Sequence, residues 1–184
     1  MTGPVRQAVH AELADTICDF IEEGGAYARR EAFVKEIRPR CSTGRRQHTE
    51  AYLDVWGWGT VDIPDLLVDV TVRHPMAARC LPRSAQTEGF ACQLAVEDKA
   101  KQYPAAGGRC VHTFAVESWG RLGSTGEAVL EVLAAAAATL DRRRGREPRS
   151  RLQRWRAQVD GVLQRGVAHA LEAARFGLPG HWRE

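Results

Sequence analysis

The spacing of apolar residues predicts a helix and then a strand at the start of the chain. Apolar residues recur at every fourth position from Val5 to Ile21, which is the spacing of one face of a helix. Gly24 and Gly25 follow, and glycine is the usual residue just past a helix end. The segment 27–37 carries apolar residues among charged ones and is interpreted as a strand.

The stretch EAYLDVWGWGTVDIPDLLVDVTVRHP, residues 50–75, predicts two strands joined by a turn. In the first strand Leu53 and Val55 fall on one face and Asp54 falls on the other. The second strand is largely β-branched and apolar, and it carries Asp69 in its middle. A buried carboxylate is costly unless it has a partner, so Asp69 requires an explanation.

The rest of the chain predicts one more strand and three helices. Helices are expected over 84–103 and 124–143, with a last one beginning near 149, and a strand over 109–118. The resulting order is helix, three strands, helix, strand and two helices. This order favours an α/β (α+β) fold with a small mixed sheet covered by helices.

Length and composition limit the class of protein. At 184 residues the chain suits one domain, which we place at 1–123, with a helical extension over 124–184 packed on or flanking it. Five scattered cysteines form no C-x-x-C pair, so a disulfide framework is not expected. No apolar run is long enough to cross a bilayer and no signal peptide is evident, so we expect an intracellular protein without a membrane partner.

Three charged residues suggest a metal site. Two acids on adjacent strands, Asp54 and Asp69, are suited to bind Mg²⁺ or Mn²⁺. Lys99 lies in the apolar arc of the predicted helix 84–103, where a lysine must find an anion or reach solvent. A bound metal would make water a better nucleophile toward phosphorus, and Lys99 would orient that water or offset charge on the phosphate. The alternative is a purely structural role, in which the two acids only form salt bridges with nearby arginines.

Further residues extend this hypothesis. Tyr103, one turn beyond Lys99, is placed to hydrogen-bond a phosphate, and Glu117, at the end of the fourth strand, to bind the metal through water. A second pattern combines Pro64-Asp65 with Glu97 and Lys99, and a third combines Asp69 with Glu97 and Lys99. We favour Asp54 over Glu97 because the latter points away from the apolar arc of its helix.

Four blocks, EAYLDVWGWG, LLVDVTVRHP, EDKAKQYPA and FAVESWGRLG, resemble the restriction-like endonuclease domain of non-LTR retrotransposon polyproteins, within the PD-(D/E)xK nuclease superfamily. The resemblance covers roughly 31–123. It implies a restriction-endonuclease-like core and an enzyme that nicks target DNA for reverse transcription. By that resemblance Asp54 and Asp69 match the two acids, and Lys99 matches a lysine supplied by the following helix.

The chain departs from the family pattern at two positions. Leu53 replaces the proline that precedes the first acid, and Thr71 stands where the standard motif has lysine. The second departure is consistent with migration of the lysine and also with loss of activity. A nucleic-acid-binding module that is catalytically inactive, and a repair or junction-resolving nuclease, are therefore the alternatives.

Arginine-rich loops suggest contact with nucleic acid. The residues expected to contact DNA phosphates are Arg45, Arg46, Arg73, Arg79 and Arg83. Residues 141–184 also contain eleven arginines against five acids, which suits either a nucleic-acid footprint or a solvated helix. The expected partners are DNA and a reverse transcriptase encoded in the same element, and a eukaryotic source would imply the nucleus.

Overall fold

A computed structural model describes residues 3–37, 52–105 and 108–176. These residues form a four-stranded mixed sheet with helices on both faces. The elements are α1 (Gly3–Glu23), β1 (Tyr27–Phe33), β2 (Tyr52–Trp58), β3 (Asp65–Arg73), α2 (Leu81–Ser84), α3 (Phe90–Gln102), β4 (Val111–Glu117), α4 (Ser124–Arg143) and α5 (Leu152–Arg175). The predicted class, mixed α and β with a small mixed sheet, is confirmed.

The strands lie in the order β1-β2-β3-β4. β1, β2 and β3 are antiparallel neighbours, whereas β4 runs parallel to β3 and is reached through α3. Parallel neighbours need a crossover that covers one face of the sheet. α3 provides that cover, while α1, α4 and α5 pack on the opposite face.

The main core lies between the sheet and the three helices α1, α4 and α5. Its centre is a stacked pair, Phe20 of α1 and Trp155 of α5, with ring centroids 4.6 Å apart. The predicted helical extension therefore shares the core of the rest of the chain. The apolar spacing after residue 149 predicts a buried stripe on the last helix that includes Leu171, yet Leu171 is 66% exposed.

One strand departs from the predicted alternation. Residues two apart on a strand normally share a face. Val55 packs in the main core, yet Leu53 packs on the opposite face against Leu67. The reversal occurs at Asp54, where the regular pairing with β1 is interrupted opposite Glu31, a residue with φ of 48°.

The predicted helix over 84–103 begins later than expected. Gly89, in a left-handed conformation, precedes α3, and the separate short helix α2 lies before it. Pro75 and Pro82 predict a loop over 74–83, yet Pro82 stands in the first turn of α2. Proline is tolerated there because the first N–H groups of a helix have no partner within the helix.

A buried carboxylate joins α4 to the start of α5, and its protonation should control stability at low pH. Asp141 accepts hydrogen bonds from Arg151 Nη1 at 2.6 Å and from the Arg149 N–H at 3.3 Å. The Arg151 bond is the main reason that the pKa of Asp141 falls from 3.8 to about 2. A lowered carboxyl pKa contributes stability above the unfolded value, and that contribution is lost as pH falls through the folded value.

We expect Asp141→Asn to lower the melting temperature at pH 7. The difference from wild type should shrink as pH falls from about 4 toward 2, because the wild-type carboxylate then also becomes neutral. Thermal unfolding followed by circular dichroism measures this, and Asp160→Asn, which changes an exposed acid in α5, is the matched control. A deficit that stays constant across this pH range would contradict the prediction.

Candidate functional site

The first predicted acid lies where β2 separates from β3. The pairing between these strands starts at Trp58 with Asp65 and ends at Val55 with Val68. Beyond that point Asp54 Oδ2 accepts the Val70 N–H at 2.6 Å, so a side chain replaces the missing strand partner. This carboxylate is therefore held at the fork between the two strands.

The second predicted acid, Asp69, is buried in β3 with 4% of its surface exposed. Lys99 Nζ of α3 lies 3.1 Å from one carboxylate oxygen and 2.9 Å from the other. Burial raises the pKa of Asp69, the Lys99 ammonium opposes that rise, and the charge of Asp54 adds to it. The structure thus shows Lys99 in contact with Asp69, and Asp54 near enough for its charge to raise the pKa of Asp69.

Tyr103 belongs to the same cluster. Its hydroxyl donates to the Asp69 carboxylate, and its ring lies 5.4 Å from Lys99 Nζ. Burial raises the pKa of Tyr103 to about 12, and both aspartates act in the same direction. The phenol is therefore protonated at neutral pH and can donate a hydrogen bond to an anion.

Glu117 lies away from the two aspartates. Strand pairing aligns Asp69 with Thr113 and Arg73 with Glu117, so Glu117 is four positions further along the sheet. Its buried carboxylate accepts backbone N–H groups of Ala91 and Cys92 in the first turn of α3. An acid is favourable at a helix N-terminus, so the structure gives Glu117 the role of anchoring α3.

The predicted phosphate-binding arginines are in different surroundings. Arg73 lines the cleft at the fork, where Nη2 donates to Asp98 and the buried Nε has no hydrogen-bond partner in the described part of the chain. Arg79 forms two bonds with Asp98, and Arg83 lies over the Phe90 ring. Arg45 and Arg46 lie outside the described residues.

The two alternative acid patterns do not assemble at this cleft. Glu97 is exposed and lines another cleft, on the side of α3 that faces Arg121 and the start of α4. Asp65 is bound by Arg109 Nε at 2.6 Å and by Trp56 Nε1 at 2.8 Å. Because α3 is a helix, Glu97 and Lys99 also point in different directions.

The cleft at the fork has a volume of about 570 Å³ and is lined in part by α1. Among the residues that the sequence patterns missed are Arg6 and His10 of α1 and Arg30 of β1. His10 Nε2 lies 3.2 Å from Asp54 Oδ2 and 3.1 Å from the Val70 carbonyl oxygen. One sequence feature could have identified His10. It directly follows Val9, which belongs to the buried apolar stripe of α1.

The donor atoms suit a metal that retains much of its water shell. The described residues contain no group of three or more His, Cys, Asp and Glu side chains arranged to bind a metal. Mg²⁺ commonly uses only one or two carboxylates, together with waters and substrate phosphate. Asp54 and Asp69 meet that requirement, and within the described ranges Asp54 Oδ1 has no hydrogen-bond partner.

The Lys99–Asp69 pair gives a prediction on stability. Lys99→Met leaves the buried Asp69 carboxylate without its cation, which should cost about 3 kcal/mol of unfolding free energy at pH 8. The pKa of Asp69, already raised by burial, should rise further without Lys99. Since a neutral carboxyl no longer needs the cation, the loss should diminish as pH falls toward the unfolded value of 3.8.

Urea unfolding of Lys99→Met at pH 8 and at pH 5 measures this effect. Adding Asp69→Asn to Lys99→Met should recover part of the lost stability, since it removes the uncompensated charge. Lys101→Met, two positions further in α3 and exposed, controls for the general effect of losing a surface lysine. Equal losses for the two lysine variants would contradict the prediction.

In the described ranges of the chain, every helix is too short or too polar to cross a bilayer. Comparison of the sequence with protein-family models and with curated proteins gave no match, and comparison with solved structures gave none either. Any function must therefore be inferred from the cleft and its side chains.

Proposed function

We propose that the protein is a metal-dependent endodeoxyribonuclease that hydrolyses DNA phosphodiesters. The observation that supports this most is the grouping of three side chains from three elements: Asp54 of β2 and Lys99 of α3 line one cleft, and Lys99 contacts the buried Asp69 of β3. Two carboxylates beside an ammonium form an arrangement that can bind a divalent cation and an anionic phosphate together. A restriction-endonuclease-like core is part of the same proposal.

Asp54 and Asp69 are the residues that would hold Mg²⁺ or Mn²⁺. When bound, such an ion lowers the pKa of water and offsets negative charge on the phosphate. Lys99 contacts both oxygens of Asp69 in the structure. Each carboxylate oxygen has a second lone pair, so Asp69 can act as a ligand while the Lys99 ammonium stays beside it and offsets negative charge on the phosphate.

The remaining polar groups of the cleft suit an anionic substrate. Tyr103 has a protonated hydroxyl beside Lys99, and Arg73 lines the cleft with a guanidinium whose buried Nε has no hydrogen-bond partner among the described residues. Arg6 and Arg30 add positive charge on the α1 side of the cleft. Basic side chains of this kind fix the position of a nucleic-acid backbone without reading its sequence.

A role in retroelement integration rests on the resemblance of residues 31–123 to the retrotransposon endonuclease domain. Under this proposal the enzyme cuts one strand of the target, and a reverse transcriptase from the same element extends the exposed end. A repair or junction-resolving nuclease would use the same three residues. The two uses differ only in which DNA substrate is preferred.

A second candidate, a nucleic-acid-binding module without catalysis, is favoured by a specific observation. Lys99 neutralises Asp69 directly, and the described part of the chain contains no group of three or more His, Cys, Asp and Glu side chains that could hold a metal. In this case Asp69 and Lys99 would only stabilise the packing of α3 on β3, and the cleft would bind phosphates without cutting them.

Nicking of supercoiled plasmid in the presence of Mg²⁺ or Mn²⁺ tests the proposal. Wild type should produce open-circular DNA, while Asp54→Asn and Asp69→Asn should each lower the rate by about 10²–10³-fold, the scale of losing one preorganised electrostatic group. Asp160→Asn, which changes an exposed acid in α5, should cut at the wild-type rate.

The outcome also separates the alternatives. DNA that is bound but never cut by wild type would contradict the nuclease and support the binding module. Faster cleavage of four-way junctions than of linear duplex would favour the junction-resolving enzyme over the retroelement nickase. Cleavage that persists in Asp69→Asn would show that the reaction does not use this cleft.

A further inference from the structure

We propose that His10 of α1 is a positioning residue that holds Asp54 so that a single carboxylate oxygen, Oδ1, is free to bind a metal. This inference rests on the proposed function, because it assigns the ligand atom of the same site. It adds a residue from a fourth element to a cluster otherwise built from β2, β3 and α3.

The hydrogen-bond partners of His10 decide which ring nitrogen carries a proton. His10 Nε2 lies between two oxygens, Asp54 Oδ2 at 3.2 Å and the Val70 carbonyl at 3.1 Å. A carboxylate and a carbonyl oxygen can only accept, so Nε2 must be the donor. The ring is therefore protonated at Nε2 whether it is neutral or charged.

The same geometry fixes the carboxylate. Asp54 Oδ2 accepts the Val70 N–H at 2.6 Å and faces His10 Nε2 at 3.2 Å, so two donors occupy one oxygen. Asp54 Oδ1 has no hydrogen-bond partner among the described residues, and Asp54 lines the cleft. Rotation of the carboxylate would break both bonds, so Oδ1 is the oxygen available to a cation.

The position of His10 is fixed by the packing of its helix. Val9, Leu13 and Ala14 are buried against the sheet, so the α1 backbone beside the cleft has little freedom to move. A histidine ring has only two side-chain torsions, so little conformational entropy is lost when it is held. The packing of α1 thus fixes the position of His10, and His10 in turn fixes the orientation of the Asp54 carboxylate.

Binding of Mn²⁺ alone, measured by electron paramagnetic resonance of the free ion, tests this role without relying on catalysis. Glutamine carries an NH₂ group as many bonds from Cα as His10 Nε2, so His10→Gln should bind Mn²⁺ nearly as well as wild type. His10→Leu should weaken binding by about 10- to 100-fold, the usual effect of losing a residue that orients a ligand. Asp54→Asn should weaken binding at least as much.

A second measurement uses wild type without metal, so it does not depend on whether the variants fold. Nitrogen-15 shifts of the imidazole in metal-free wild type should show the neutral ring protonated at Nε2 rather than Nδ1. Predominance of the Nδ1–H form would overturn the proposal, as would unchanged Mn²⁺ affinity in folded His10→Leu when Asp54→Asn has lost it.

Failure of the proposed function has a different signature. If wild type neither binds Mn²⁺ nor cuts DNA, the site is not a metal site and the role of His10 as a positioning residue falls with it. If wild type binds Mn²⁺ and cuts DNA while His10→Leu does both normally, only the assignment of His10 is wrong.

Discussion

The candidate site depends on how one backbone N–H is satisfied. β2 and β3 separate after Val55, which leaves the Val70 N–H without a strand partner in the interior. A buried N–H without an acceptor is costly, and Asp54 supplies the acceptor at 2.6 Å. The strands can therefore diverge without losing a hydrogen bond, and the cleft opens where they diverge. Glu31, with its positive φ, is the strained counterpart in β1, as is common near functional sites.

Burial of Asp69 is the second constraint, and it links stability to chemistry. The pKa of this carboxyl is raised mainly because it is buried, although Lys99 is in direct contact with it. Such a pair is weak evidence of stabilisation, because desolvation offsets much of the attraction. Lys99 offsets part of the cost of burying Asp69, and a metal bound as we propose would offset more of it.

α3 carries Lys99, and its placement depends on residues outside the cleft. Glu117 binds the first N–H groups of α3, while Asp98 of the same helix pairs with Arg73 of β3 and with Arg79. These contacts set the rotation and the height of the helix over the sheet. Glu117 therefore contributes to the site by holding the helix that carries Lys99, although it lies away from the two aspartates.

The order of elements and the faces of α1 and β3 could be predicted from the sequence because periodicity is a local property. The apolar stripe of α1, the alternation of 66–73 and the position of Lys99 within the apolar arc of its helix all depend on neighbours a few residues away. These patterns placed Lys99 on the side of its helix that faces the strands carrying the two acids, because that helix has to cover the sheet.

Three features were decided only by the tertiary structure. They are the direction of the Asp54 carboxylate, the partners of Glu117 and the contact of His10 with Asp54. Each of these depends on contacts between elements far apart in the chain: His10 and Asp54 are 44 residues apart, and Asp54 and Val70 are 16 apart. Strand register and the break at the fork arise from packing three elements together, and no local pattern encodes them. The sequence therefore determined which acids and which lysine are candidates, whereas the fold determined where these side chains lie relative to one another.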